Sequence, residues 1–559
     1  LINKACQLLG AKTNQGISDK PLVSILSKLF EQDKNSPQCY YFESQELEVL
    51  NKETVLESPS IFPKISLQGV PLANQKAQRK TIENLQIALN NISSQDKASF
   101  AFTAYHLLHK YQSRSASSAY DQFEDVSVFD HQRLLAAVVH CLSHGQTNLK
   151  NPDFSESAQF ILLKGDISGI QKFIYNNIDL TQAGGSDKLS KKLRGRSFYI
   201  SLLTSFLAER FLERLGLLEA NLIYATGGHF MILAPQDDSI IKAINQLTQE
   251  INIQLRQKLG NEFNFLVGYI QKGAELFENT DTCFTEVNTE LNAKKTNLHQ
   301  SYLTKIIQAK PNEQEFEEDI WLGTNIPYSE YLLELEIIPE KAPQLKKKLY
   351  ETDEEQKQVR KKYRKAFVVD WLVWNRVYFM PRTRKKGYSK DLDASALADE
   401  INHYLNKYRG FIKSAKIISI NNTDYDHTLW KYKIEKAYQF SISYSFQFLG
   451  SESRQFFEAE EPLLKLADNE VGDVMHFDAL QMLDFTQKRG VAPDQIEQVR
   501  NRKYLGYPML GVMRMDVDYL GGIFGFGLGE SQQKNFARLT TLSREFHMFF
   551  SGYFNVLVN

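Results

Sequence analysis

The order of hydrophobic periods between residues 158 and 271 limits the fold of this chain more than any other feature. AQFILLKGDISG opens with an unbroken apolar run, too short for a helix and closed by Gly-Asp, which reads as a buried strand. LRGRSFYISLLTSFLAERFLERLGL (193–217) spaces its apolar residues by three and four, as a long amphipathic helix does. NLIYATGGHFMILAP (221–235) is two short apolar runs around Gly-Gly, a hairpin signal. SIIKAINQLTQEINIQLRQKL (239–259) is helical again, and NFLVGYIQ (264–271) returns to strand. The order β-α-β-β-α-β predicts a ferredoxin-like α+β domain.

Part of this unit recurs. FILLKGDISGIQKFIY (160–175) and MLGVMRMDVDYLGGIF (509–524) are each an apolar strand, an Asp, an apolar residue, a Ser or Asp, and then a glycine turn. A helix rich in aromatics follows each, FYISLLTSFLAERF in the first copy and ARLTTLSREFHMFF in the second. Ser197 lies 31 residues after Asp166, and Ser551 lies 35 after Asp516. The copies differ where chemistry would sit. Asp516 and Asp518 share one face of a strand end, and two carboxylates at that spacing suit Mg²⁺ and hence a nucleotide triphosphate. The first copy keeps Asp166 alone, with Ser168 at the matching position, which suits a structural or substrate-cradling partner. The plainer reading of both stretches is a strand end whose aspartate caps a turn. Gly227 and Gly228 begin 61 residues after Asp166, and the same offset from Asp516 falls at 577, past Asn559. The second copy is therefore expected to stop before its hairpin.

At 559 residues the chain has room for three to five domains. Residues 1–150 read mainly as helix, with PLVSILSKLF (21–30), KTIENLQIALNNI (80–92) and HQRLLAAVVHCLSHG (131–145) carrying helical spacing. Residues 284–304 also read as helix. ETDEEQKQVRKKYRKA (351–366) is a charge run, read first as a solvated helix face and second as an RNA-backbone contact. Residues 367–450 mix aromatic strand-like runs with one helix (392–408) and define no recognisable fold. A net charge of −1 does not announce a nucleic-acid binder, although a neutral total can hide a basic groove. The cysteines Cys6, Cys39, Cys141 and Cys283 stand far apart with no CxxC, which excludes zinc held by local pairs and fits a reducing cytosol. No apolar run reaches eighteen residues and no signal peptide opens the chain, so neither a membrane nor export is expected. Residue 1 is Leu, which suits a piece of a longer sequence.

GDISGIQKFIY, KKLRGRSFY, YATGGHFMILAP, MRMDVDYLGGIF and LTTLSREFHMFFSGYF, in that order, resemble the large subunit of type III CRISPR–Cas effector complexes, the Csm (III-A) subtype most closely. The resemblance implies a helical, degenerate or partial HD-type domain (1–150), a first ferredoxin-like palm (158–285), a linker domain with insertions (286–500), and the start of a second palm (501–559) cut before its metal-binding hairpin. It implies a cytoplasmic antiviral subunit that binds guide RNA, target RNA and other Csm-type subunits, especially the small subunit and the subunit holding the guide 5′ handle. In many members single-stranded DNA is cleaved. It implies synthesis of cyclic oligoadenylate from ATP with Mg²⁺ or Mn²⁺. Asp516 and Asp518 would be the catalytic and metal-binding pair. Ser197, Ser551, Gly227, Gly228, Asp166 and Ser168 would contact nucleotide.

Three departures accompany the likeness. The family's second palm carries Gly-Gly-Asp-Asp, whereas here the matching form is ATGGHF in the first palm, with His229 and Phe230 in place of the acids. There is no His-Asp dipeptide. Asp130-His131 stands where the family has an Asp-His pair, with His106, His109, His140 and His144 at helical spacing nearby, and Cys6 stands where the family has Asp. The linker lacks paired cysteines, so no zinc is expected. Two functions follow as expectations: a cyclase once completed C-terminally, or an inactive scaffold of the same complex. A free-standing nucleotidyl cyclase is a remote third.

Overall fold

The computed structural model describes residues 1–13, 16–29, 40–47, 64–65, 70–92, 97–120, 123–144, 146, 160–175, 186–259, 263–296, 331–345, 366–369, 376–379, 384–385, 388–391, 394–420, 437–441, 523–524, 527–529 and 535–549. The N-terminal part comprises α1 (Ile2–Leu8), β1 (Ile17–Val23), β2 (Tyr40–Phe42), β3 (Lys64–Ile65), α2 (Val70–Asn91), α3 (Lys97–Gln112), β4 (Ser115–Ser117) and α4 (Val128–Ser143). Its strands form an antiparallel sheet in the order β3-β2-β1-β4. The helix expected over 21–30 is not there. The segment is the end of β1 followed by one 3₁₀ turn, Ile25–Lys28. So short an apolar run fits either period, and pairing of Leu22 and Val23 with Phe42 and Tyr41 favours the strand.

The next stretch runs β5 (Phe160–Ser168), α5 (Ile170–Tyr175), α6 (Ser186–Leu215), β6 (Leu222–Thr226), β7 (His229–Pro235), α7 (Asp238–Leu259), β8 (Asn264–Lys272), α8 (Glu275–Glu278) and α9 (Thr280–Thr296). The sheet order is β6-β7-β5-β8 with every neighbour antiparallel, the split βαβ arrangement that the hydrophobic periods predict. Alternation along β5 sorts its residues between two cores. Ile161, Leu163 and Ile167 join Leu203, Phe211, Ile244 and Leu247 of α6 and α7. Phe160 and Leu162 join Leu134 and Val138 of α4, Leu276 and Phe277 of α8, and Val287 of α9. The sheet is thus the middle of three layers. Gly165 has a steric cause: a Cβ there would overlap the Phe230 ring, which stacks on Phe265 at 5.9 Å.

A third sheet contains β9 (Tyr331–Ile337), β10 (Ala366–Val369), β11 (Arg376–Phe379), β14 (Ile412–Ile420) and β15 (Ala437–Ser441), in the order β10-β11-β9-β14-β15. Between β11 and β14 in sequence stand the small hairpin β12 (Arg384–Lys385) and β13 (Tyr388–Asp391) and helix α10 (Ala394–Lys407). Leu333, Leu335 and Ile417 pack with Ile401 of α10 and with Leu85, Leu107 and Tyr111 of α2 and α3. Lys413 and Lys416 of β14 bond Glu213 and Glu209 of α6 at 3.1 and 2.8 Å, joining this sheet to the central unit.

The last described helix, α11 (Phe536–Met548), is set by a buried charge network. Arg538 grips Asp125 at 2.9 and 2.6 Å. Arg544 grips Asp130 at 3.0 and 2.9 Å, and Arg114 meets Glu545 at 2.5 Å. Thr541 donates to Asp130, and so does Ser127, the N-cap of α4. Burial opposes ionisation of Asp130, but Arg544 and Arg133 outweigh it and hold the carboxyl near pKa 2.

Removing one partner leaves a buried charge unmatched. Asp130→Ala or Arg544→Ala is expected to cost on the order of 3–5 kcal/mol in urea unfolding. The double variant should cost less than the sum of the two, and simple additivity would contradict direct pairing.

Candidate functional site

The candidate site lies where β5 ends beside the β6–β7 hairpin. Thr226 pairs with His229, leaving Gly227 and Gly228 as a two-residue turn with φ of +58° and +92°. Positive φ at both positions is the type I′ geometry, which suits the twist of a hairpin and favours glycine. Gly228 is doubly constrained, because a Cβ there would collide with the Ile170 side chain of α5. Its carbonyl accepts the Ile167 N–H at 2.8 Å, tying the turn to the strand end.

Asp166 pairs with His229 across the β5–β7 ladder and is buried. Its carboxylate lies 3.5 Å from His229 Nδ1 and 3.0 Å from Lys295 Nζ. Burial disfavours the charge, but the His229 and Lys295 contacts overcome it and keep the carboxyl below its ordinary range. Ser168, two residues on, is half-buried and shares that strand face. Lys164 bonds Asn288 of α9 at 2.7 Å, and burial lowers its pKa. The structure therefore brings Asp166, Ser168, Gly227, Gly228 and His229 together. Lys295 was missed because it stands on α9, 129 residues beyond Asp166, with no local signal. Ser197 lies within α6. Asp516, Asp518 and Ser551 lie outside the described residues.

The Asp130-His131 pair is not arranged as a metal centre. Asp130 is engaged by two arginines, and His131 Nδ1 meets the Tyr120 hydroxyl at 3.2 Å. His140 bonds Asn221 at 3.0 Å, His144 reaches Asp237 at 3.3 Å, and His109 packs edge-on against Phe129. Among the described residues no group of three or more His, Cys, Asp or Glu could hold a metal ion. Nor is any described helix long and apolar enough to cross a membrane.

A four-stranded split βαβ sheet with an acid at one strand end, against a Gly-Gly hairpin, defines a ferredoxin-like α+β domain. Residues 159–312 match the family described as Csm1 subunit domain B. A CRISPR system single-strand-specific deoxyribonuclease Cas10/Csm1 (subtype III-A) of Mycobacterium tuberculosis is 35% identical over 161 residues, 27% of this chain and 19% of that protein. The protein of the same description from Methanocaldococcus jannaschii is 24% identical over 501 residues, 81% of this chain and 56% of the relative. The structure of an apo Csm1–Csm4 cassette superposes with a TM-score of 0.58 at 18% identity, over 100% of this chain and 57% of that one. Csm1 of T. onnurineus does so with a TM-score of 0.54 at 18% identity, over 100% and 56%. This chain thus spans about half the length of the relatives that it follows most fully. The resemblance to the large, Csm1-type subunit of type III-A complexes is borne out.

Two outcomes are expected here. Gly228→Val forces a branched side chain into positive φ and against Ile170, and should lower stability by at least about 1–3 kcal/mol in urea unfolding. Burial holds His131 and His547 near pKa 4, while burial and the neighbouring Lys416 charge hold His106 near 3, all below the ordinary 6.5. Between pH 6.5 and about 4 the unfolded chain binds more protons than the folded one, so stability falls as pH falls. Each histidine adds up to about 1.4 kcal/mol per pH unit. Replacing His131 or His547 with Gln should flatten that slope in pH-dependent thermal melts.

Proposed function

We propose that this chain acts as the large subunit of a type III-A RNA-guided antiviral effector in the cytoplasm. In this reading it is a palm protein that binds guide RNA, target RNA and neighbouring Csm-type subunits, and makes cyclic oligoadenylate from ATP. The observation that carries the reading is the ordered motif set on a βαββαβ domain that matches Csm1 domain B. Solved neighbours lend support: Csm1–Csm4 cassettes carry one ATP, AMPPNP or cA3 in structures of the same fold.

In this reading the site would draw on both copies of the repeated unit. Asp166 does not fit a divalent cation, because Lys295 already pairs with its carboxylate and the His229 ring lies against it. Asp516 and Asp518 form a hard oxygen donor set that fits Mg²⁺ or Mn²⁺. Such an ion would neutralise charge developing on the transferring phosphoryl group. The 3′-hydroxyl of one ATP attacks the α-phosphate of another; the new phosphodiester forms as pyrophosphate leaves. Ser168, Gly227 and Gly228, together with Ser197 and Ser551 at matching places in the two copies, would contact nucleotide.

The test is the assembled complex with guide RNA, target RNA, ATP and Mg²⁺ or Mn²⁺. Oligoadenylate should form, and Asp516→Asn with Asp518→Asn should reduce it at least about 100-fold, the scale of losing a transition-state charge partner. An assembly that binds guide RNA and never yields oligoadenylate would assign the scaffold role instead. That second reading draws on Asp166 and Asp130 both being held by cationic side chains.

A further inference from the structure

Among the described residues, strand β8 is one edge of the central sheet. Residues of an edge strand alternate between bonding the inner neighbour and facing outward. Asn252 of α7 accepts from the Phe265 N–H at 2.9 Å and donates to its carbonyl at 2.6 Å, which marks Phe265, Val267, Tyr269 and Gln271 as the outward set. Lys294 of α9 donates to the Val267 carbonyl at 2.9 Å. The first half of the edge is therefore capped by side chains, as protected edges are. The second half is not: the outward backbone groups of Tyr269 and Gln271 have no hydrogen-bond partner among the described residues.

A groove of about 570 Å³ runs beside this open half, between Tyr269 and Ile270 and the outer face of α9. Its floor carries the small residues Thr282, Thr285, Thr289 and Ala293, which leave room for a backbone. Its carboxylates are Asp281, Glu286 and Glu290, with no cation in the lining. Lys272 and Lys294 pair with Glu286 and Glu290 at 2.8 and 3.1 Å, and exposed Glu275 and Glu278 at the strand end restore an acidic surplus.

We propose that the Tyr269–Gln271 edge takes a short, extended, basic segment of a partner polypeptide by strand addition. Main-chain bonds to Tyr269 and Gln271 supply affinity, and lysine or arginine over the α9 carboxylates supplies selection. Asn252 and Lys294 set where the added strand must stop. The acidic lining disfavours nucleic acid, whose backbone would be repelled. This inference does not depend on the proposed catalytic role.

The probe is a fluorescent six-residue peptide alternating lysine and valine, titrated by anisotropy against the full chain. Saturable binding is expected, weakened at least about tenfold when the peptide amides on one edge are N-methylated. Gln271→Pro removes an outward N–H that β5 does not use, a place where an edge strand tolerates proline. That variant and Asp281→Lys/Glu286→Lys should both lose binding while keeping the wild-type melting profile. If Gln271→Pro melts early, the N-methylated peptide decides alone. Equal binding of the N-methylated peptide or of a glutamate–valine counterpart overturns the proposal. So does the absence of saturation by about millimolar peptide.

Discussion

The structure depends on a set of charges withdrawn from water. Asp130 and Glu545 face Arg114, Arg133 and Arg544 in one buried network, and Asp125 faces Arg538 in a buried pair, together joining segments more than four hundred residues apart in sequence. Ion pairs of this kind often contribute little net stability over apolar packing, because desolvation offsets attraction. Their effect here is on position. Arg538, Thr541 and Arg544 recur every three residues along one face of α11, so a shift of the helix by a turn would strand two charges and a hydroxyl at once. Around that register the apolar contacts fall into place: Phe536 against Phe277 and Phe284, Leu539 and Leu542 against Ile25, and Met548 in the core of the third sheet.

The central sheet then gains a cover on each face. α6 and α7 lie over one side, and α4, α9 and α11 over the other. A strand buried on both faces is apolar nearly throughout, which is why FILL has no alternation. Past FILL the strand turns polar, with Lys164 bonded to Asn288 and then Asp166 and Ser168 at its end. Phe230 lying over Gly165 and Ile170 closing on Gly228 fix the approach of hairpin and strand end, so Asp166 and His229 meet in register.

The central domain was legible from sequence because its elements are long and each keeps one period. The hairpin was legible because Gly-Gly at a two-residue turn has few alternatives. The N-terminal sheet was not, since Ser115–Ser117 carries no β-branched or aromatic signal and 21–30 reads equally well as helix. The sheet over 331–441 escaped as well, because β10, β11 and β15 run only four or five residues and the order, β10-β11-β9-β14-β15, comes from long-range pairing. At the site, the strand acid and glycines were visible, but Lys295 was not, being brought in by the packing of α9. His131 and Asp130 looked like a worn metal pair because composition cannot distinguish a ligand from a member of an arginine network.

The same asymmetry bears on which module carries chemistry. Asp166 and His229 occupy the positions where a nucleotidyl-transfer palm of the proposed type would place acids. With Lys295 at 3.0 Å, the Asp166 carboxylate is already matched by an ammonium. A divalent ion would have to displace an ammonium and approach an imidazole, which costs Coulomb energy instead of releasing it. On the proposed reading, a strand acid already paired with an ammonium is poorly placed to hold a metal, and that task would fall to the copy whose sequence keeps two carboxylates, Asp516 and Asp518.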